Sequence, residues 1–358
     1  MWYTSYMNII VIAPTIFAAD RGTPMRIVNE VKTLAMQNDS VTVLTYGIGD
    51  TPKGLQKNIL VKRIPSFTPW KNTLKVGFSW YKIIADMLLF VMTLFSLRSS
   101  QVVHAHLHEG IIIAWFVSKI LFWKKITIIG DLHGGLVEEM SAPWLHFCES
   151  WIHTLSDKVA VSSFELATYV ENDRKDKAVF IPDMQTVIPQ VQSGLLDISQ
   201  DKKVIVYTGA FRKDRGIELI WEAMKNIRRS DVHWVIAGSP GSSLQIPESI
   251  PSSRYTIVSP LHKNELAHVL AIANVALDPK PAGSLQGSGK IANYVAAGIP
   301  TVAFFSKTNE WYMGSSDLLA KSSKDFFSNI EKALDVPQKK PPVIEVSMLL
   351  DSLYKDVC

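Results

Sequence analysis

The feature that most constrains this chain is a strand–loop–helix–strand pattern that occurs in both halves. A β-branched apolar run spans 8–13, a glycine-containing loop spans 15–24, apolar residues at helical spacing cover 25–36, and 41–45 is a second β-rich run. Residues 275–304 repeat this order. A unit of this kind joins two parallel strands through a helix, so the sequence predicts α/β structure with doubly wound parallel sheets.

Length and chain breaks indicate two domains. The chain has 358 residues, 47% of them hydrophobic, which is enough for two cores. The segment between 184 and 203 is polar and aperiodic, which is typical of a linker. We therefore predict an N-terminal domain at 1–184, a C-terminal domain at 203–336, and a tail at 337–358 that ends in a helix.

Composition excludes several classes of protein. A formal net charge of +4 is too mild for a nucleic-acid-binding protein. The two cysteines, Cys148 and Cys358, form no disulfide framework or zinc pattern, which favours a reducing compartment. The first residues lack the features of a signal peptide, and no uninterrupted apolar run reaches about twenty residues. We expect a cytoplasmic protein.

A loop of small residues in the second half precedes a helix that opens at Lys290. Glycines before a helix N-terminus let backbone N–H groups approach an anion, and the helix dipole favours negative charge there. The P-loop pattern does not fit, because Ser284 stands at its first glycine and Ile291 at its hydroxyl position. Phosphate binding and an ordinary turn both remain open for this segment alone.

The same segment resembles the donor site of family-4 glycosyltransferases with the GT-B fold. The residues that match the family pattern are Lys290, Tyr294, Ala296, Ala297, Gly298 and Pro300. Two positions depart from it: Leu285 and Asn293 occupy the slots of two glutamates. Asparagine still hydrogen-bonds a donor ribose, whereas leucine does not. The phosphate-binding part of the pattern therefore transfers better than the sugar-binding part.

A cationic loop precedes the predicted helix at 217–227. Arg212, Lys213 and Arg215 lie where positive charge opposes the helix dipole, and either a bound anion or solvent would resolve that conflict. In the resemblance, Arg215 takes the slot of a lysine that binds the donor diphosphate. Arg212 is a displaced substitute for an arginine, because Ala210 stands in the family's arginine position.

The first glycine loop carries the second part of the resemblance. The run Asp20-Arg21-Gly22-Thr23-Pro24 is similar to the first loop of a subset of these transferases, which faces the donor diphosphate and the acceptor. The resemblance assigns Gly22 and Thr23 to the donor and Arg21 to the acceptor side. A plain turn is the alternative role for Gly22.

Three histidines alternate near a predicted strand end at 102–108. Alternation would place His104, His106 and His108 on one face of the strand. Such a triplet suits a metal ion, but only Glu109 stands nearby to complete a site, and we expect no metal. The resemblance places His106 and His108 beside the acceptor.

The run Gly130-Asp131-Leu132-His133-Gly134 has two interpretations. It matches the first metal-binding motif of metallophosphoesterases, but the further motifs of that class do not occur downstream. A metal-dependent phosphoesterase therefore remains a remote alternative. In the transferase resemblance His133 is a catalytic residue near the transferred sugar, with a capping or core role as the plain alternative.

Lysines and aromatic residues alternate in 70–98 and 119–125. A buried core helix explains the first segment, and an interfacial helix at a membrane surface explains it equally simply. The second segment would extend such a surface. Peripheral contact with the inner face of the membrane is therefore an open hypothesis.

The resemblance covers nearly the whole chain and implies two Rossmann-like domains facing across a cleft. It implies transfer of a sugar, with retention, from a nucleotide-diphosphate sugar to a glycan, lipid or protein acceptor. The implied catalytic residues are His133, Arg212 and Arg215, and the implied donor-binding residues are Gly22, Thr23, Arg212, Arg215, Gly287, Ser288, Gly289, Lys290 and Asn293. No metal or other cofactor is expected, because fixed cations and N–H groups stabilise the leaving diphosphate. A catalytically degenerate GT-B protein that binds nucleotide or glycan is the main alternative.

Overall fold

The computed structural model divides the chain into two compact units. The first unit comprises Met1–Asp183, Leu285–Gly287 and Glu345–Cys358, and the second comprises Met184–Ser284 and Ser288–Ile344. The structure describes residues 8–19, 22–36, 40–49, 51–52, 54–66, 79–140, 142–184, 188–191, 195–196, 198–239, 246–337 and 346–354. Elements are numbered in chain order through both units.

The first unit contains a seven-stranded parallel sheet. Its strands are β1 (Asn8–Ala13), β2 (Ser40–Thr45), β3 (Ile59–Arg63), β4 (Val102–His106), β5 (Thr127–Leu132), β6 (Lys158–Val161) and β7 (Val179–Phe180). They are ordered β3-β2-β1-β4-β5-β6-β7. Buried Val and Ile side chains on both faces of β1 and β4 explain why these strands lie at the centre.

Seven helices belong to the first unit as the structure describes it. They are α1 (Gly22–Met36), α2 (Trp80–Ser96), α3 (Leu107–Ile120), α4 (Leu136–Met140), α5 (His146–His153), α6 (Phe164–Glu171) and, from the C-terminal tail, α12 (Val346–Tyr354). Helix α12 packs against α1 and β7. Its Tyr354 hydroxyl lies 2.6 Å from Nδ1 of His104, so the tail contributes to the interior of this unit.

The second unit contains a six-stranded parallel sheet. Its strands are β8 (Lys203–Thr208), β9 (Val232–Ala237), β10 (Tyr255–Val258), β11 (Val275–Asp278), β12 (Thr301–Phe304) and β13 (Leu319–Ala320), ordered β10-β9-β8-β11-β12-β13. Its described helices are α7 (Ile217–Asn226), α8 (Lys263–Ile272), α9 (Gly289–Ala296), α10 (Lys307–Met313) and α11 (Ser323–Ala333). The predicted pair of doubly wound parallel sheets is confirmed.

Each sheet reverses its strand order at one point. In the first unit the reversal lies between β1 and β4, and in the second between β8 and β11. The carboxyl ends of parallel strands at such a point form the crevice in which ligands of these folds bind. His106 ends β4 and Asp278 ends β11, so both lie at these positions.

The structure differs from the sequence prediction at the end of β4. The predicted strand at 102–108 is wrong for its last two residues, because Leu107 has a φ of 62° and begins α3. His104 and His106 therefore share a strand face, while His108 lies in the first turn of the helix. β5 ends at Leu132, which places Asp131 inside the strand.

Helix α2 carries a partly buried carboxyl group, that of Asp86. Tyr46 Oη donates a 2.5 Å hydrogen bond to Oδ1 of Asp86. Burial raises the pKa of Asp86 to about 7, despite that hydrogen bond and the nearby Lys82 ammonium, which lower it. Because this pKa exceeds the unfolded value, the folded protein binds the extra proton between pH 4 and 7.

We predict that the stability of the Asp86→Asn variant falls less than that of the wild type as the pH rises. In the wild type the raised pKa contributes stability below pH 4 that is lost as pH rises through about 7, on the order of 4 kcal/mol. Between pH 4 and 8 the melting temperature of the variant should therefore decline less than that of the wild type. Asp176→Asn, an exposed carboxylate of the same unit, is the matched control. Parallel pH profiles for wild type and Asp86→Asn would contradict the assignment.

Candidate functional site

A buried group of charged residues lies at the carboxyl edge of the first sheet. Helix α1 contributes Arg26 and Glu30 one turn apart, β4 contributes two histidines, and β5 with the following loop contributes a carboxylate and a third histidine. We call this set the arginine cluster: Arg26, Glu30, His104, His106, Asp131, His133 and Asp183.

Arg26 is the centre of the arginine cluster. Its Nε lies 2.9 Å from Glu30 Oε1, its Nη2 donates to Asp131 Oδ1 at 3.3 Å, and its Nη1 donates to Asp183 Oδ1 at 3.2 Å. Nη1 also donates to the Ile181 carbonyl at 2.7 Å. Buried charges are stable only when they are paired in this way, so one guanidinium holds α1, β5 and the segment after β7 together.

Two carboxyl groups of the cluster have opposite pKa shifts. Burial raises the pKa of Glu30 well above its usual value, and the adjacent Arg26 only partly opposes this. Burial also opposes ionisation of Asp131, but Arg26 and the surrounding histidines hold its pKa well below its usual range. The pair therefore retains one proton on Glu30 while Asp131 stays ionised.

Two histidines of the cluster, His106 and His133, are neutral near pH 7. His104 and His106 stack with ring centroids 4.6 Å apart, and His106 Nδ1 lies 3.2 Å from His133 Nε2. Burial lowers the pKa of His106 to about 4 and that of His133 well below its usual value. Nδ1 of His133 is buried without a hydrogen-bond partner among the described residues, so it is the ring atom left for a ligand.

The other predicted site residues of the first unit lie in three places. Gly22 and Thr23 are the first two residues of α1, and a Cβ at Gly22 would meet no atom within 4 Å. His108 turns away from the arginine cluster, with Nε2 3.4 Å from Glu149 Oε1. Arg21 lies outside the described residues.

The metallophosphoesterase motif is used differently here. In that class the aspartate and histidine of the motif ligate metal ions. In this chain the Asp131 carboxylate already contacts the Arg26 guanidinium, which supplies the positive charge that a metal would bring. The structure therefore offers a non-metal role for Asp131.

The second unit places a buried ion pair at its own topological switch point. Lys290 Nζ lies 2.9 Å from Asp278 Oδ1 and 4.6 Å from the centroid of the Tyr207 ring. Burial opposes both charges, but each partner stabilises the other: the pKa of Asp278 is lowered and that of Lys290 is raised. Lys290 is thus a fixed cation at the start of α9.

Glycines let the backbone turns around Lys290 approach closely. Gly216 adopts φ 76° before α7, and a Cβ there would lie 2.2 Å from the Pro279 carbonyl oxygen. A Cβ at Gly238 would lie 1.6 Å from the Gly209 carbonyl oxygen. The turns after β8, β9 and β11 therefore converge at one edge of the sheet, and only glycine permits that convergence.

The predicted diphosphate-binding arginines are accessible. Arg212 Nε donates to Asp214 Oδ1 at 2.8 Å, and Arg215 Nε lies 3.5 Å from Asp214 Oδ2. Their side chains are 49% and 33% exposed. Asp214 and, for Lys213, Glu218 at 2.8 Å provide negative charge, so the conflict with the dipole of α7 is balanced within the protein.

The glycine loop before α9 divides between the two units. Gly287 belongs to the first unit, where its N–H donates to Ser162 Oγ at 3.3 Å. Ser288 and Gly289 belong to the second unit, and the Ser288 hydroxyl is buried without a partner among the described residues. Asn293 Nδ2 donates to the Gly289 carbonyl at 3.2 Å, so this amide already contacts its own helix.

Sequence reasoning missed the central residues of both sites. Arg26 and Glu30 have the i, i+4 spacing of a helical ion pair, but nothing local shows that this pair is buried. Asp278 stands at the end of a predicted strand, yet its pairing with Lys290 joins residues twelve positions apart. The signal that the sequence did contain was a charged residue, Arg26 or Asp278, within a predicted apolar helix or strand.

Comparison with known proteins identifies the fold. No protein-family model matches the chain. No curated protein matches it by sequence. Solved structures do match, over almost the whole length of this chain.

Three glycosyltransferase-type structures illustrate the likeness. Sucrose-phosphate synthase from Thermosynechococcus elongatus superposes with a TM-score of 0.73 at 16% identity, covering 98% of this chain and 96% of that one. HepE from Anabaena, solved with UDP and glucose, gives 0.71 at 12% identity, covering 98% and 95%. The catalytic domain of starch synthase IV from Arabidopsis thaliana, bound to ADP and acarbose, gives 0.69 at 11% identity, covering 98% and 99%. The chain therefore has the GT-B fold.

Proposed function

We propose that this protein is a retaining glycosyltransferase of the family-4 type. It transfers a sugar from a nucleotide-diphosphate sugar to a glycan, lipid or protein acceptor. The observation that carries the proposal is the grouping of Lys290, Arg212 and Arg215 around the glycine turns at the switch point of the second sheet. Two of the similar structures hold UDP or ADP, which supports a nucleotide at this site.

The cations of the second unit have separate roles in this proposal. Lys290 is fixed by Asp278 and by the Tyr207 ring, so it presents charge without reorganisation. Arg212 and Arg215 contact Asp214 at partly exposed positions, and an arriving diphosphate competes for them there. Negative charge that develops on the leaving diphosphate is then met by donors already in place.

Backbone donors at α9 complete the diphosphate site. Ser288 offers a buried hydroxyl without a partner among the described residues, and Gly289 and Lys290 begin the helix. The first N–H groups of a helix have no intrahelical acceptor and attract anions. Gly22 and Thr23 at the start of α1 remain predictions for donor binding.

The first unit supplies His133 in this proposal. Its free Nδ1 hydrogen-bonds a hydroxyl of the transferred sugar, while Nε2 is oriented by His106 and Asp131. Because burial keeps the ring neutral, His133 serves as a hydrogen-bonding group and adds no charge. Arg21, His106 and His108 remain predictions for the acceptor side.

This proposal includes no metal or other cofactor for the transfer step. Lys290, Arg212 and Arg215 supply the positive charge that a metal ion supplies in other transferases.

Leu285 and Asn293 favour the second candidate function, a GT-B protein that binds its ligand without turnover. Asn293 already donates to Gly289, which weakens its availability for a ribose.

We expect Arg215→Ala to reduce turnover by roughly 100- to 1,000-fold, the usual cost of removing one preorganised donor to a developing anion. The side chain is partly exposed, so the melting temperature should stay near that of the wild type. Arg228→Ala, an exposed arginine of the same unit, is the matched control and should retain full activity. Near-normal transfer by Arg215→Ala would refute the donor-site assignment.

A nucleotide panel tests the donor site without knowledge of the acceptor. We expect one of UDP, GDP or ADP, with its sugar conjugate, to raise the melting temperature of the full chain. At about a hundredfold excess over the dissociation constant the stabilisation is about 2.7 kcal/mol. The increment should be the same with and without EDTA. An increment that requires a metal would contradict the cofactor part of the proposal, and no increment with any nucleotide would favour a degenerate site.

We also propose that the first unit contacts anionic membrane lipid. Helix α2 buries only Ala85, Leu89 and Thr93, while Trp80, Met87 and Phe95 are exposed. Near the end of α3, Phe122 and Trp123 are 81% and 66% exposed. Large exposed apolar groups of this kind mark interaction surfaces. Residues 70–78 of the predicted surface lie outside the described part of the chain.

Positive charge beside these side chains indicates the chemistry of the surface. Arg98 lies 5.0 Å from the Phe95 ring, Lys119 lies 5.4 Å from the Trp115 ring, and Lys125 is exposed next to Trp123. Aromatic groups flanked by cations suit the interface of an anionic bilayer. Among the helices that the structure describes, none combines the length and apolarity that a bilayer crossing requires.

Vesicle flotation tests the surface directly. We expect the full chain to float with vesicles rich in phosphatidylglycerol, and the double variant Phe122→Ser/Trp123→Ser to bind several-fold more weakly. Trp311→Ser, an exposed aromatic of the second unit, is the matched control. Equal flotation of the double variant and the wild type would remove this surface from the proposal.

A further inference from the structure

A second buried group of histidines lies outside the arginine cluster. We call it the α3–α5 cluster: His108 in the first turn of α3, and Glu149 and His153 one turn apart on α5. His108 Nε2 lies 3.4 Å from Glu149 Oε1, and His153 Nε2 lies 3.9 Å from the same oxygen. These three atoms all lie within 4.8 Å of one another. The side chains of Glu149 and His153 are fully buried, and that of His108 is 9% exposed.

The hydrogen bonds of His153 determine which ring nitrogen carries its lone pair. Nδ1 lies 2.7 Å from Asp173 Oδ2, so Nδ1 bears the proton and donates it to that carboxylate. Nε2 therefore presents a lone pair, and it lies in the protein interior without a hydrogen-bond partner among the described residues.

Glu149 is ionised on the other side of this lone pair. Both of its oxygens accept backbone N–H groups, which suits a carboxylate. The Leu136 N–H donates to Oε1 at 2.5 Å and the Val137 N–H to Oε2 at 3.2 Å. The lone pair of His153 thus faces a carboxylate oxygen at 3.9 Å, an arrangement that is repulsive unless a cation lies between them.

No protein cation fills that position. In the arginine cluster the guanidinium of Arg26 lies among the carboxylates and neutralises them. In the part of the chain that the structure describes, no lysine or arginine lies within ion-pair distance of Glu149, whose side-chain neighbours on this side are the imidazole rings of His108 and His153. The nearby Arg174 directs Nη1 to the carbonyl oxygens of His153 and Ser156 instead.

We propose that the α3–α5 cluster binds a divalent zinc ion through His108 Nε2, Glu149 Oε1 and His153 Nε2. Two imidazoles and one carboxylate form a known zinc ligand set, which leaves a fourth position for water. Zinc bonds of roughly 2.0–2.2 Å place tetrahedral ligand atoms about 3.4 Å apart. The His108–Glu149 distance already has that value, and the His153–Glu149 distance exceeds it by about half an ångström.

The surrounding contacts match those of a metal site. A zinc-bound histidine usually donates its other ring N–H to a carboxylate, as His153 does to Asp173. Glu149 Oε2 is held by the Tyr169 hydroxyl at 3.0 Å and by the Val137 N–H, which leaves Oε1 directed at the two histidines. The ion would tie α3 to α5 and, through Glu149, to the start of α4. In this structural role His108 is a metal ligand and no longer a candidate for the acceptor side.

The site was not visible in the histidine triplet of the sequence. That triplet suggested His104, His106 and His108 as joint ligands, but only His108 takes part here. Its partners are the i, i+4 pair Glu149 and His153, about forty residues later. Because the proposed ion lies outside the donor site, it does not alter the expectation that the transfer step itself needs no metal.

Metal analysis of the purified full chain tests the proposal. After dialysis against low-micromolar zinc and then metal-free buffer, we expect one zinc per chain and a higher melting temperature than after chelation. His153→Gln should weaken zinc binding at least about tenfold, and Asp173→Asn about ten- to a hundredfold, because it removes only the orienting carboxylate. His146→Gln is the matched control, an exposed histidine on the same helix.

Each outcome decides the proposal. Zinc bound by the wild type and by His146→Gln, and weakened in both other variants, would support it. A wild-type chain without zinc would overturn it, as would His153→Gln that binds zinc with wild-type affinity. If His153→Gln does not fold, Asp173→Asn retains all three ligands and decides the result: zinc affinity equal to the wild type would overturn the proposal. An equal loss in His146→Gln would also overturn it.

Discussion

The carboxyl edge of the first sheet depends on a single buried guanidinium. Arg26 on α1 contacts Glu30, Asp131 and Asp183 and also binds the Ile181 carbonyl. Removing one partner of a buried charge pair costs on the order of 3–5 kcal/mol, because the remaining charge has no solvent to replace it. Every polar group at this edge, including His133, is therefore positioned relative to an interaction that α1 delivers from outside the sheet.

The second unit also contains a buried cation that is paired with a carboxylate, but different residues form the pair. Its buried cation is Lys290, paired with Asp278 at the end of β11 and placed over the Tyr207 ring. In each unit a helix brings a cation to the switch point of a parallel sheet, where an acidic residue ends or follows a strand. Arg26 is enclosed by its carboxylates, whereas Lys290 has one carboxylate and lies beside exposed arginines. That difference is the reason why we propose the anion site for the second unit.

The sequence predicted the fold well because its signals were local. The β-branched run predicted at 8–13 forms β1 with the same limits, and the β-rich run predicted at 41–45 forms β2 at Ser40–Thr45. The failures arose where a local pattern met a long-range constraint. Alternation placed His108 on a strand, but a positive φ at Leu107 turned the chain into α3. No window of sequence contains the information that Arg26 will meet Asp183.

The candidate site shows the same division between local and distant information. The cationic loop and the small residues before α9 were readable from spacing alone, because anion binding at a helix start is a local property. The partners of Lys290 were not readable, and neither was Ser162, which already accepts from the Gly287 N–H. The arginine cluster and the α3–α5 cluster contain similar carboxyl and imidazole groups. Arg26 lies among the carboxyl groups of the first cluster. No arginine takes that place in the described part of the second, where we propose a metal ion instead.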